Sequence, residues 1–326
     1  MAVLTPGKIR GLSTASNEDG CFTILAIDHR DAMRVVLRPD DPASVTSQEM
    51  TEMKMWLLDS LGSLATAVML EPEYSAAQAI TGRHLPGTVG FLAAVEAQGY
   101  LGDPTARMTS LLDEWSVEKA KRIGASGIKL LVLYRPDAGD VTDTQDRLIA
   151  RVVNDCALHD IPLFLEPLSY VTEPGLTADS AQFAAKRRSL VLSTVERLGA
   201  LGPDVLKVQF PIDTRFEDDR AAWSQACAEL DAVSPVPWAL LSGGDPYPLF
   251  RDQVRIACAA GASGFMVGRA LWGSVVVVPP AERESLMAGD VRPRLEELVE
   301  IVRNEGRSWV ARHTMPEIGE HWYKSY

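Results

Sequence analysis

Basic residues are in short supply: 32 Lys plus Arg stand against 44 Asp plus Glu in 326 residues, a net charge of −12 at pH 7. Sequence-independent nucleic-acid binding needs a lysine and arginine surplus to displace phosphate counterions, so the balance argues against a nucleic-acid partner. Small anions remain open, because a few local groups hold them whatever the net charge. Cysteine is also sparse. Cys21, Cys156, Cys227 and Cys258 form no C-x-x-C pair and each sits in an apolar stretch, which reads as four buried thiols rather than disulfides. No apolar run approaches the roughly 18 residues of a membrane span. The opening MAVLTPGKIRGLSTASNEDG lacks the apolar core of a secretory signal. The expectation is a soluble cytoplasmic protein with no membrane partner. No fixed-period repeat appears, which sets aside solenoids and propellers.

What is present is a globular composition, 46% apolar and 23% charged, able to bury a large core. Eight short apolar runs recur: 22–28 (FTILAID), 67–71 (AVMLE), 89–96 (VGFLAAVE), 127–134 (GIKLLVLY), 162–166 (PLFLE), 205–210 (VLKVQF), 238–242 (WALLS) and 264–269 (GFMVGR). They suit strands buried on both faces. Between them lie helical patterns at 48–61, 112–124, 143–159, 178–199, 220–233 and 248–261. The stretch 82–88 is too short for a full helix, which predicts an irregular second crossover. Eight such units predict a single (β/α)8 barrel over residues 1–274, followed by a helical extension over 275–326 packed on the barrel, with a helix in 292–312. A doubly wound open sheet is the rival, weakened because DHRDAM follows the first run where G-x-G-x-x-G would be expected.

Barrels carry their chemistry at the C-terminal ends of strands. There this chain places Asp28 with His29, then Glu71, Glu96, Glu166, Ser242 with Gly243 and Gly244, and Gly268 with Arg269. Lys129 and Lys207 interrupt the fourth and sixth apolar runs, where a free ammonium is costly. The ordinary explanation for either alone is a lysine paired with a carboxylate or lying outward with its stem covered. The fourth and sixth strands share parity, so both lysines can lie in one layer with Glu166 between them. A partly desolvated lysine beside a second cation shifts toward the neutral amine, which attacks carbonyls. Schiff-base chemistry follows, with a carboxylate such as Glu166 moving protons. LLSGGD and MVGRA, after the seventh and eighth runs, stand where barrels often bind phosphate. Their glycines let backbone N–H groups approach an oxyanion while Ser242 and Arg269 add donors. A metal bound by Asp28, His29, Glu71 and Glu166 is the competing explanation; only five histidines exist and none has H-x-H or H-E-x-x-H spacing, so no metal is expected.

Taken together, LAIDHR, LEPEY, GIKLLVLY, FLEPL, VLKVQFP, LLSGG and GFMVGRALW resemble the tagatose-1,6-bisphosphate aldolase family of class I aldolases, which includes sulfofructose-phosphate aldolases; the similarity runs over 19–274. The resemblance implies a (β/α)8 fold, no cofactor, a homo-oligomer, and reversible cleavage of a phosphorylated ketose to dihydroxyacetone phosphate and an aldehyde. It implies Lys207 as the imine-forming lysine, Glu166 as proton shuttle, Lys129 as neighbouring cation and Asp28 as a catalytic group orienting substrate hydroxyls. Ser242, Gly243 and Arg269 would hold the phosphate, with His29, Glu71, Gly244 and Gly268 as further substrate contacts. The chain departs from the family at His29, where Gln is frequent, and at Gln209, where a carboxylate is frequent. These departures leave the aldehyde half open between phosphate, sulfonate and an uncharged group. A sulfofructose-1-phosphate aldolase is thus one alternative, and a non-catalytic sugar-phosphate sensor on the same barrel is another.

Overall fold

In the computed structural model, which describes residues 3–324 and 326, the eight apolar runs are parallel strands closed into one barrel. They are β1 (Phe22–Ala26), β2 (Ala67–Leu70), β3 (Gly90–Ala94), β4 (Gly127–Leu133), β5 (Leu163–Leu168), β6 (Val205–Val208), β7 (Trp238–Leu241) and β8 (Gly264–Val267). Each pairs with its chain neighbours, and β1 pairs with β8 to close the ring. The helix α1 (Pro6–Ala15) precedes the barrel. The crossovers carry α2 (Asp31–Leu37) with α3 (Ser47–Leu61), α4 (Ala76–Thr81), α5 (Val117–Arg122), α6 (Asp140–Leu158), α7 (Ala181–Gly199), α8 (Arg220–Val233) and α9 (Tyr247–Ala260). After β8 come α10 (Arg269–Val276), α11 (Pro280–Leu286) and α12 (Arg292–Glu305). The second crossover is irregular, with only the six-residue α4. The helix expected at 112–124 shrinks to α5, because Leu112 donates its N–H back to the Val95 carbonyl and Leu111 bridges Glu96.

Alternation along each strand sorts the apolar residues into two cores. Outward residues such as Leu25, Ile128, Leu165, Leu206 and Phe265 pack against the helices, while inward Phe22, Ile24, Met69, Phe164 and Met266 fill the barrel. The bottom is sealed by α1, whose Leu12 and Ala15 join that interior cluster together with Trp309. Gly11 permits the close approach: a Cβ there would stand 2.3 Å from the Ser126 carbonyl oxygen. The region expected as an appended tail does more than pack on the barrel. Its α12 buries Leu295, Leu298 and Val302 against α9, β1 and α3, in the position of the eighth outer helix. The expected boundary at 274/275 falls inside α10, a short helix that begins directly at the barrel mouth. All four cysteines are buried free thiols, and among the described residues no helix is long and apolar enough to cross a membrane.

Candidate active site

Above the apolar floor, inward positions of β4, β5 and β6 become charged. Lys129 pairs with Phe164 in register and Glu166 with Leu131, so Lys129 enters the barrel two residues lower than Glu166. Its long stem spans that step: Lys129 Nζ lies 2.6 Å from Asp28 Oδ2, 2.6 Å from Glu96 Oε1 and 3.3 Å from Glu166 Oε2. Lys207 Nζ lies 2.8 Å from the same Glu166 oxygen and has no other carboxylate partner among the described residues. Its remaining contact is the Met69 sulfur at 3.7 Å. Two ammoniums therefore share one carboxylate. One is held by three acids and the other by one.

Burial alone would push Lys129 toward neutrality, but Asp28, Glu96 and Glu166 outweigh it and hold its pKa above the ordinary lysine value. Asp28 is the mirror case. Burial would raise it, while Lys129, Lys207 and His29 hold it well below the usual carboxylate range. Glu166 is likewise lowered, Lys207 and Lys129 overriding its burial and the repulsion of Asp28. These groups line a cavity of about 590 Å³ at the C-terminal mouth of the barrel.

The far wall of the cavity is built from the β7 and β8 turns. Ser242 Oγ accepts the Gly268 N–H at 3.3 Å, tying the two turns together. Gly243 and Gly244 follow with φ of +58° and +90°, a left-handed path that favours glycine. Arg269 opens α10 with its guanidinium against Gly244, 3.6 Å from where a Cβ would stand. The structure thus brings Ser242, Gly243, Gly244, Gly268 and Arg269 to one side of the cavity. His29 joins them, its ring edge-on to Trp272 at 5.2 Å and 2.7 Å from where a Gly268 Cβ would be.

Burial, opposed by Asp28 and reinforced by Arg269 and the two lysines, pushes the His29 pKa down to about 4. His29 is therefore neutral in the fold at physiological pH. Between its unfolded value near 6.5 and about 4 the unfolded chain takes up the proton first, so stability is full above pH 6.5 and falls as pH drops through that window. His29→Gln is expected to remove this loss, flattening the stability profile between pH 6.5 and 4 by about 1–2 kcal/mol, as checked by urea midpoints across that range.

Glu71 requires a correction. Residues 67 and 69 face inward, and continued alternation would bring Glu71 into the site, but β2 ends at Leu70. The chain turns there, and the Glu71 carboxylate folds back to accept the Glu73 and Tyr74 N–H groups and to pair with Lys54 of α3 at 2.5 Å. Both partners are wholly buried outside the cavity. Glu71 stabilises a turn, and the four-ligand metal set of Asp28, His29, Glu71 and Glu166 is not assembled. Among the described residues no group of three or more His, Cys, Asp or Glu is arranged to hold a metal ion.

Two contributors went unassigned in the sequence. Glu96 closes the third apolar run as Glu166 closes the fifth, and that shared pattern was the available signal. Arg30 is buried and spans Glu73 at 2.9 Å and the Glu96 carbonyl at 2.9 Å. It holds the end of β3 against the turn that Glu71 caps.

A closed parallel barrel with a lysine–carboxylate–lysine cluster at its C-terminal mouth has the architecture of a barrel enzyme, with groups there that are able to support carbonyl chemistry. The particular family follows from comparison with known proteins: residues 22–274 match the model of the DeoC/LacD family aldolases, and the chain belongs to that family. Tagatose 1,6-diphosphate aldolase 1 of Streptococcus mutans is 30% identical over 327 residues, covering 95% of this chain and 99% of its own. The tagatose 1,6-diphosphate aldolase of Lactococcus lactis is 31% identical over 288 residues, covering 84% and 87%. Among solved structures, a Schiff-base-forming fructose-1,6-bisphosphate aldolase shares the fold at a TM-score of 0.59 and 20% identity, over 90% of this chain and 98% of that one. The fructose-bisphosphate aldolase of Plasmodium falciparum aligns at 0.63 and 14% identity, over 94% and 98%.

Proposed function

We propose that this aldolase cleaves a ketose phosphorylated at C1, of the tagatose 1,6-bisphosphate type, into dihydroxyacetone phosphate and an aldehyde, with Lys207 as the imine-forming residue. The observation that carries the assignment is the unequal pairing of the two lysines. Lys129, bound by Asp28, Glu96 and Glu166, stays an ammonium throughout. Lys207 shares one short contact, 2.8 Å to Glu166, along which its proton can leave.

The free amine attacks the C2 carbonyl, and Glu166 protonates the departing hydroxyl so that water leaves and an iminium forms. The iminium withdraws electrons as Glu166, again a carboxylate, takes the C4 hydroxyl proton and the C3–C4 bond breaks, which releases the aldehyde. Glu166 returns that proton to the enamine at C3, and water adds to the C2 iminium so formed, expelling the Lys207 amine and freeing dihydroxyacetone phosphate. Lys129 supplies a fixed positive charge that favours the carboxylate form of Glu166 between proton transfers. Asp28, itself fixed by Lys129, presents its second oxygen to substrate hydroxyls. Ser242, the backbone of Gly243, Gly244 and Gly268, and Arg269 would hold the C1 phosphate at the start of α10.

Borohydride reduction in the presence of dihydroxyacetone phosphate and EDTA, followed by peptide mass spectrometry, tests the reading. The expected result is one reduced adduct on Lys207. An adduct on Lys129 would exchange the two lysines, and activity lost to EDTA with no adduct would reject the imine mechanism.

A further inference from the structure

The Lys54–Glu71 pair lies outside the cavity and takes no part in the chemistry above. Both side chains are wholly buried, and a buried ion pair gains little stability over apolar residues of the same shape. Stability alone therefore does not account for it. What the pair does is fix a turn. Ser75 donates its hydroxyl to Glu71 Oε1 at 2.8 Å, beside Lys54, while the Glu73 and Tyr74 N–H groups converge on Oε2 at 2.7 and 2.9 Å. The Lys54 ammonium also stands 5.7 Å from the Tyr74 ring centroid. The turn so held presents the Glu73 carboxylate to Arg30.

Arg30 follows Asp28 by two residues, is 5% exposed, and carries the restraint inward. Its Nη1 donates to Glu73 Oε2 and its Nη2 to the Glu96 carbonyl, both at 2.9 Å, and the same Nη2 stands 3.7 Å from Glu96 Oε1. Glu96 lies beyond the end of β3, where an isolated bridge to Leu111 replaces the strand ladder. Its carboxylate meets β4, with Oε1 accepting from Lys129 Nζ at 2.6 Å and Oε2 from the Leu131 N–H at 3.1 Å. One Glu96 oxygen thus faces two cations, Arg30 on its outer side and Lys129 in the site.

We propose that Arg30 and Glu73 are positioning residues that act through Glu96 on Lys129, with the Lys54–Glu71 pair as their fixed footing. The inference rests on the imine reading above, in which Lys129 is a fixed cation beside Glu166. Neither residue makes or breaks a bond in the substrate. The guanidinium fork restrains Glu96 at its backbone while its other arm is anchored on Glu73, which the single ammonium of a lysine does not reproduce. A displacement of Lys129 by about 1 Å alters its 3.3 Å approach to Glu166 and costs turnover rather than affinity.

The test follows exchange of the C3 hydrogen of dihydroxyacetone phosphate with solvent deuterium, which needs the imine and enamine steps and no aldehyde. Glu73→Gln removes the outer anchor at a side chain that is 35% exposed, and should lower the exchange kcat about tenfold with KM within about twofold. Arg30→Lys should lower kcat by a similar factor and leave the pH profile in place, because the charge remains. Arg30→Met should lower it about 100-fold and also move both limbs of the kcat profile up by about half to one pH unit. The sign follows from the charged groups around Arg30, which are Asp28 after β1, Lys54 of α3, Glu73 after β2 and Glu96 after β3, with Lys129 across Glu96. Loss of a buried cation raises the titration of acids and ammoniums alike. Glu73→Gln carries the comparison if Arg30→Met does not fold.

An unchanged kcat in folded Glu73→Gln and Arg30→Lys would overturn the proposal, as would a raised KM at constant kcat, which marks a direct substrate contact. A pH profile that stays in place in folded Arg30→Met would leave Arg30 a merely structural residue and overturn it too. Borohydride trapping of the wild type with dihydroxyacetone phosphate separates the two readings. An adduct on Lys207 with variants that exchange normally rejects the positioning role only, whereas no adduct rejects the imine mechanism and this extension with it.

Discussion

Lys207→Met is expected to lower kcat/KM for cleavage of a phosphorylated ketose by at least about 10⁴-fold and to abolish borohydride trapping. No other described lysine in the cavity can take over, because Lys129 is held charged by three carboxylates. The fold should tolerate the change well. Methionine matches the lysine stem, the site lies against Met69, and Glu166 keeps Lys129 at 3.3 Å as its counter-ion. Circular dichroism and the urea midpoint should therefore change little while turnover vanishes. Retained turnover in a folded variant would reject Lys207 as the nucleophile.

Lys129→Met should fail in the opposite way, through the fold. It strips the shared cation from Asp28, Glu96 and Glu166, all buried, and a charge left unpaired in such a place costs about 3–5 kcal/mol. The pH dependence distinguishes this from a simple packing defect. In the parent, the Asp28 and Glu166 pKa values are depressed, so their contribution is present above the ordinary carboxylate range near pH 4 and is lost as pH falls toward the depressed values. In the variant that depression is relieved and buried carboxyls protonate readily. The stability gap between parent and variant should be widest above pH 6 and narrow as pH falls to 4. Urea unfolding at pH 7, 5.5 and 4 measures it, and a gap independent of pH would reject the electrostatic account.

Much of this site was legible because charge inside apolar strands has few places to go. Lys129 and Lys207 sit in runs that are otherwise apolar, and equal parity on β4 and β6 was enough to aim both at Glu166. Ser242 and Arg269 were readable from their place after the seventh and eighth runs. Glu71 failed on the position of a strand end. A strand one residue longer would have carried its carboxylate inward, but the turn that starts there supplies two N–H donors and the buried Lys54.

The sequence by itself determined the barrel, the order of its strands and the gathering of Lys129, Glu166 and Lys207, because eight doubly buried strands need long apolar runs and desolvation confines their few charges to a common cluster. Only the tertiary structure decided that Lys129 is held by three carboxylates and Lys207 by one, and that α12 closes the helix ring. Each of these rests on reach between elements distant in the chain, where one residue of register or a single turn redirects a side chain by several ångströms, and local pattern carries no record of that distance.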